Sequence, residues 1–86
     1  MINNRRDELE ILADILRLTK GGAKKTQILY RVNLSYSQLE NYLSFLKEKN
    51  LLEEVETEET RGKIYKINDK GLKLLESIEN VFSYLK

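Results

Sequence analysis

Residues 33–50, NLSYSQLENYLSFLKEKN, decide the fold because they carry one amphipathic helix with an unusual outer face. Its apolar residues recur at three- and four-residue spacing, which predicts a helix with one face packed on a core. They are Leu39, Tyr42, Leu43 and Leu46. The opposite face should carry Ser37, Asn41, Ser44 and Glu48, so three of its four residues are small and uncharged, whereas solvent-facing helices usually carry Glu and Lys there. We therefore expect this face to contact something other than water.

Capping explains only the beginning of this helix. Ser35 and Gln38 form an S-x-x-Q capping box, and Ser37 with Glu40 forms a competing S-x-x-E box. Asn41 lies deeper, where Asn has poor helix propensity and needs another reason. Asn and Gln side chains can bond adenine edges, and Ser can bond several bases. Nucleic-acid contact is favoured over a merely solvated face.

Two further helices are expected before this one. The first should run from about Asn4 to Thr19 or Lys20 and end at the glycine pair 21–22. Its apolar residues occupy two neighbouring faces, so either the domain wraps it or a second subunit covers it. A short second helix should run from about Lys24 to Val32, and we expect Tyr30 and Tyr42 to be core residues with hydroxyls at the rim.

A β-hairpin and a last helix should follow. The segments LLEEVET (51–57) and GKIYKIN (62–68) read as strands joined by a polar turn. Asn68 should cap the last helix, with Asp69 in its first turn. This helix should continue to the end of the chain and carry one apolar stripe. The fold class is therefore mainly α with a small β-hairpin, in the order α-α-α-β-β-α.

Composition argues against catalysis and for one soluble domain. The 86 residues include neither Cys nor His, which removes disulfides, thiolate chemistry and the commonest metal ligand. No phosphate loop, metal-spaced carboxylate cluster or nucleophile motif is present. We expect no enzyme activity, metal or cofactor. No membrane span or signal peptide is apparent, so a cytoplasmic protein is expected. The first 50 residues hold nine Lys or Arg against six acids, which suits a polyanion.

The order of elements is that of a winged helix-turn-helix, in which the third helix enters the DNA major groove and the hairpin, or wing, lies beside the duplex. The segments KKTQILYRVNLSYSQLENYLSFLKEKNLLEE (24–54) and IYKINDKGLKLL (64–75) resemble the small archaeal winged helix-turn-helix DNA-binding proteins. The resemblance covers roughly residues 23–75. It implies one winged-helix domain over 1–86, transcription regulation as the function, and dimerisation through a long C-terminal helix over 69–86.

The expected DNA contacts come from three places. The start of the second helix supplies cations near backbone N–H groups that already attract phosphate. The third helix supplies the reading surface, where Tyr36 could instead pack on the second helix, and the wing supplies two cations. The full set is Lys24, Lys25, Thr26, Tyr36, Ser37, Gln38, Asn41, Ser44, Arg61 and Lys63.

The wing departs from what phosphate contact requires. Five glutamates lie in or near it, at 53, 54, 56, 58 and 59, and phosphate repels carboxylates. We expect the wing to add little affinity or to face a protein. The alternative function is therefore a winged-helix protein-interaction module that does not bind DNA.

A homodimer is expected through the last helix and one face of the first. The last helix, at about 18 residues and roughly 27 Å, is longer than so small a body needs to cover itself. The expected interface residues are Ile11, Ile15, Leu18, Ile78, Val81, Phe82 and Leu85. The expected partners are double-stranded DNA and a second copy of the chain, with no membrane.

Overall fold

Four helices and a small three-stranded sheet make up the domain. The structure is a computed structural model that describes residues 3–59 and 62–85. The elements are α1 (Asn3–Leu18), β1 (Ala23–Lys24), α2 (Lys25–Val32), α3 (Tyr36–Glu48), β2 (Leu52–Thr57), β3 (Gly62–Ile67) and α4 (Asp69–Leu85). This is the expected winged helix, with the addition of β1.

One hydrophobic core joins all four helices to the base of the sheet. Ile15 and Leu16 of α1, Ile28 of α2 and Leu39 of α3 are fully buried in it. α4 closes the core with Leu75 and packs against α1. The apolar stripe of α3 is buried as predicted, so its opposite face is directed outward.

The turn between α2 and α3 is set by local residues. Asn33 ends α2 in the left-handed conformation, with φ 58°, which Asn tolerates better than most residues. Ser35 then caps α3: its Oγ accepts a hydrogen bond from the backbone N–H of Gln38 at 3.1 Å. Three residues, Asn33, Leu34 and Ser35, therefore suffice to join the helices.

The sheet has the order β1-β3-β2 and is antiparallel throughout. In the hairpin, Val55 pairs with Ile64 and Glu54 with Tyr65. On the other side of β3, Ala23 pairs with Tyr65, which places the start of α2 beside the wing. The sequence did not predict β1, because two residues carry no periodic pattern.

The last helix begins as predicted. The Asn68 Oδ1 accepts a hydrogen bond from the Gly71 backbone N–H at 2.8 Å, while Asn68 Nδ2 donates to the Asn50 carbonyl, also at 2.8 Å. Asn50 itself is left-handed, with φ 59°. One asparagine thus caps α4 and ties it to the end of α3.

Three burial expectations are wrong. Tyr30 is 89% exposed rather than part of the core, because α1 and the sheet contact the other sides of α2. Ile15 and Ile78 were expected at a dimer interface, yet they are 0% and 3% exposed within this one chain. Neither side chain has surface left to give to a partner, because α1 and α4 pack against each other through this part of their stripes.

Candidate nucleic-acid interface

The outer face of α3 presents a row of polar side chains to solvent. Ser37, Asn41 and Ser44 are all exposed, and within residues 3–59 and 62–85 none of their side chains has a hydrogen-bond partner. Their position follows from the burial of Leu39, which directs the opposite side of the helix outward. These hydroxyls and this amide are free to bond an external ligand.

Gln38 is partly committed to the helix itself. Its Oε1 accepts a hydrogen bond from the Ser35 backbone N–H at 3.0 Å, which completes the capping box with Ser35. Bidentate bonding to adenine needs both the oxygen and the nitrogen of an amide. Gln38 could do this only by giving up the cap. Asn41 is therefore the amide on this face with both groups available.

The start of α2 holds one free cation and one paired cation. Lys24 is exposed and has no ion-pair partner among the described residues. Lys25 forms a salt bridge with Glu40 of α3, and its Nζ lies 5.3 Å from the centre of the Tyr36 ring. The Glu40 hydrogen bond is the main reason that the pKa of Lys25 is raised. Thr26 is exposed beside them.

Tyr36 therefore contacts α2 through Lys25. The two side chains also approach within hydrogen-bonding distance, with 3.5 Å between Lys25 Nζ and the Tyr36 hydroxyl. The ring remains more than half exposed, at 59%. Both expectations for this residue, packing against α2 and access to an external phosphate, are compatible with this position.

The wing cation is also paired. Glu54 accepts from Lys47 of α3 at 2.6 Å and pairs with Lys63 of β3 at 2.9 Å. These hydrogen bonds, that of Lys47 first, lower the pKa of Glu54 to about 2. The bond to Glu54 raises the pKa of Lys63. Arg61, the other expected wing cation, lies outside the described residues.

Sequence reasoning missed an aromatic residue at the edge of this face. Phe45 is 44% exposed, and the Lys49 Nζ lies 5.9 Å from its ring centre. A shallow groove of about 410 Å³ runs beside it between α1 and α3. Its lining is Glu8, Leu12, Gln38, Asn41, Tyr42 and Phe45. Burial, followed by the charge of Glu8, raises the pKa of Tyr42 in this groove. The sequence did indicate that Phe45 is exposed, because this residue lies outside the apolar i, i+3, i+4 stripe of α3.

The described residues form neither a recognisable metal site nor a membrane-spanning helix. Among residues 3–59 and 62–85, no three potential ligands of the Asp, Glu, His or Cys type gather where a metal ion could bind. In the same part of the chain, every helix is too short or too polar to cross a membrane.

Comparison with known proteins agrees with this geometry. The sequence model described as winged helix-turn-helix matches residues 5–86, nearly the whole chain. The chain belongs to the winged helix-turn-helix family. This winged helix is 35% identical over 79 residues to the uncharacterized protein MJ0290 of the archaeon Methanocaldococcus jannaschii. The match covers 91% of this chain and 35% of that protein, so the winged helix spans about a third of its relative's length.

A solved structure also shares the fold. The winged helix superposes on a selenomethionine derivative of a MepR mutant from a multidrug-resistant S. aureus clinical isolate, with a TM-score of 0.75. The superposition covers 92% of this chain and 58% of that one, at 20% sequence identity. The resemblance expected from the sequence, in both family and fold class, is confirmed.

Proposed function

We propose that this winged helix binds duplex DNA as a transcription regulator, with α3 in the major groove. The observation that supports this most directly is the bare polar face of α3, where Ser37, Asn41 and Ser44 have no partner among the described residues. Such groups lose little when they exchange water for base edges, and Asn is suited to adenine. In this function the protein acts by binding and not by catalysis.

The remaining contacts fix the orientation on the duplex. With α3 in the groove, the α2 N-terminus faces the phosphate backbone, as in other helix-turn-helix proteins. Lys24 is the free cation there, and the helix N-terminus itself favours an anion. Phosphate contacts would supply much of the affinity and make it fall as salt rises.

We further propose that the protein is a homodimer joined through α4. Val81 and Leu85 are 44% and 55% exposed near its C-terminal end, and the half-buried Phe82 lies between them. Ile11 and Leu18 of α1 are half-buried and remain candidates, whereas Ile15 and Ile78 do not. Two reading helices would then require half-sites about 34 Å apart or a multiple of that distance.

Two single substitutions test the reading face against the phosphate contact. Asn41→Ala should change which base is preferred, with a cost of about 1–3 kcal/mol at the affected position. Lys24→Ala should weaken binding to every sequence alike and reduce the slope of log K against log salt by about 0.9. Duplexes selected from a random pool, followed by titration at two salt concentrations, measure both effects.

The outcomes separate the two candidate functions. If Asn41→Ala leaves base preference unchanged, α3 does not read the groove in this orientation. If the unsubstituted protein binds no duplex at low salt, the DNA-binding proposal fails. The acidic wing would then favour the protein-interaction module, because carboxylates at Glu53, Glu56, Glu58 and Glu59 are exposed there.

A further inference from the structure

Two of the three described lysines expected to contact phosphate are already paired with carboxylates inside the domain. Lys25 is paired with Glu40, and Lys63 is paired with Glu54, at 2.9 Å in the second case. Lys24 has no such partner among the described residues. The first pair joins α2 to α3, whereas the second lies within the wing, between β2 and β3.

Both carboxylates lie on or against the recognition helix. Glu40 projects from α3 one turn before Ser44. Glu54, on β2, also holds Lys47, which projects from the last turn of α3. Its side chain is only 21% exposed, so this contact is better shielded than an ordinary surface ion pair. A phosphate must displace a carboxylate before it can bind either Lys25 or Lys63 fully.

We propose that Glu40 and Glu54 are specificity-determining residues, which suppress sequence-independent binding by holding Lys25 and Lys63 in ion pairs within the domain. The inference rests on the proposed DNA-binding function. Phosphate contacts carry no sequence information of their own, whereas base contacts do. Restraining two cations therefore leaves a larger share of the affinity to Asn41 and its neighbours.

Neutral variants of the same shape release the lysines. Glu40→Gln and Glu54→Gln should each tighten binding to two unrelated duplexes by a similar factor, on the order of three- to tenfold at 50 mM salt. Each should also steepen the slope of log K against log salt by about 0.9 for every lysine released. Fluorescence anisotropy with labelled 24-base-pair duplexes, over several salt concentrations, measures both quantities.

Asp14→Asn is the matched control. Asp14 pairs with Arg17 at 2.9 Å on α1, away from the proposed DNA-binding face, and its loss changes the net charge by the same amount. Arg17 stays held by Glu79, also at 2.9 Å. A gain in the two glutamate variants that exceeds the gain of Asp14→Asn supports the proposal. Thermal melts confirm that all three variants fold.

A second substitution tests whether the affinity gain of Glu40→Gln depends on Lys25. In a Lys25→Ala background, Glu40→Gln should give no more than the gain of the control, because no lysine remains to be released. The proposal is overturned if the glutamate variants match Asp14→Asn, if they weaken binding, or if the Glu40→Gln gain persists without Lys25. Should neither the unsubstituted protein nor any variant bind duplex DNA, the proposed function itself fails.

Discussion

At the scale of single residues, Gly71 is a position where the packing leaves no room for a side chain. A Cβ there would lie 2.3 Å from the Leu51 carbonyl oxygen and 2.6 Å from the Ile67 Cγ1. The first of these neighbours is backbone and cannot rotate away. Glycine is needed here because the first turn of α4 lies against the backbone of Leu51, just before β2. Elsewhere in a helix, glycine is destabilising.

Gly71→Ala should therefore destabilise the domain by about 1–3 kcal/mol, as overpacking does, instead of stabilising the helix. Gly21→Ala is the control, since a Cβ at Gly21 meets nothing within 4 Å. That change should alter stability by less than about 1 kcal/mol. Urea unfolding monitored by circular dichroism measures both. Equal effects at the two glycines would show that the crossing is looser than described.

Glu54 should make stability depend on pH in the acid range. Its pKa is about 2 in the folded protein, against a usual value of 4.5, because Lys47 and Lys63 donate hydrogen bonds to its carboxylate. A carboxyl group whose pKa is lower in the folded than in the unfolded protein stabilises the fold, and this contribution is fully present above the unfolded pKa. This stability is lost as the pH falls from about 4.5 to about 2.

The melting temperature should therefore drop more steeply over that range in the unsubstituted protein than in Glu54→Gln. Glu53→Gln, at an exposed position on the same strand, is the control and should keep the steep profile. Melting curves at half-unit pH steps test this. Parallel profiles for Glu54→Gln and the unsubstituted protein would mean that the two lysines do not stabilise the folded carboxylate.

At the scale of elements, local signals predicted helix ends better than burial. The Ser35–Gln38 box and the Asn68 cap are both present as expected, since each depends on neighbours within a few residues. The prediction that Tyr30 is a core residue was wrong because α2 has only eight residues. A helix of two turns has too weak an apolar periodicity to show which of its sides the neighbouring elements cover. The strand β1 was missed for a different reason, since it is defined only by its pairing with β3.

Substitutions at the start of α3 should separate the contribution of this segment to protein stability from its contribution to DNA binding. Ser35→Ala removes the oxygen that accepts from the Gln38 backbone N–H and should cost about 1 kcal/mol of unfolding free energy. Ser37→Ala, at an exposed position with no partner among the described residues, should cost less than about 0.5 kcal/mol. In DNA titrations the order should reverse, with Ser37→Ala the more harmful. A larger stability loss at Ser37 would assign the cap to the competing box.

At the scale of the whole molecule, the sequence predicted the order of elements but not how distant charges meet. Lys25 and Glu40 are 15 positions apart, and no pattern along the chain links them; only the packing of α2 against α3 brings them together. The same holds for Lys63 and Glu54, which depend on the hairpin register. Candidate phosphate contacts could thus be named from the sequence, while their pairing could not.

The proposed dimer illustrates the same limit. The apolar stripes of α1 and α4 were both predicted from the sequence. The sequence pattern does not reveal which part of each stripe is buried within the same chain. Ile15 and Ile78 are used within the domain, where α1 meets α4. The exposed apolar surface that remains on α4 is concentrated near its C-terminal end, at Val81, Tyr84 and Leu85. Any dimer contact through α4 is therefore expected at that end of the helix.

Val81→Asp and Leu85→Asp should each convert the dimer into a monomer, because a carboxylate would be buried without a partner at the contact. Ser83→Asp is the control, since position 83 lies on the opposite side of α4 and is exposed. Sedimentation equilibrium at micromolar concentration measures the mass, and circular dichroism checks that helix content is kept. The monomeric variants should also lose the extra affinity for a duplex with two half-sites, while they still bind one half-site. A monomeric unsubstituted protein, or dimers unaffected by either substitution, would contradict an interface at this end of α4.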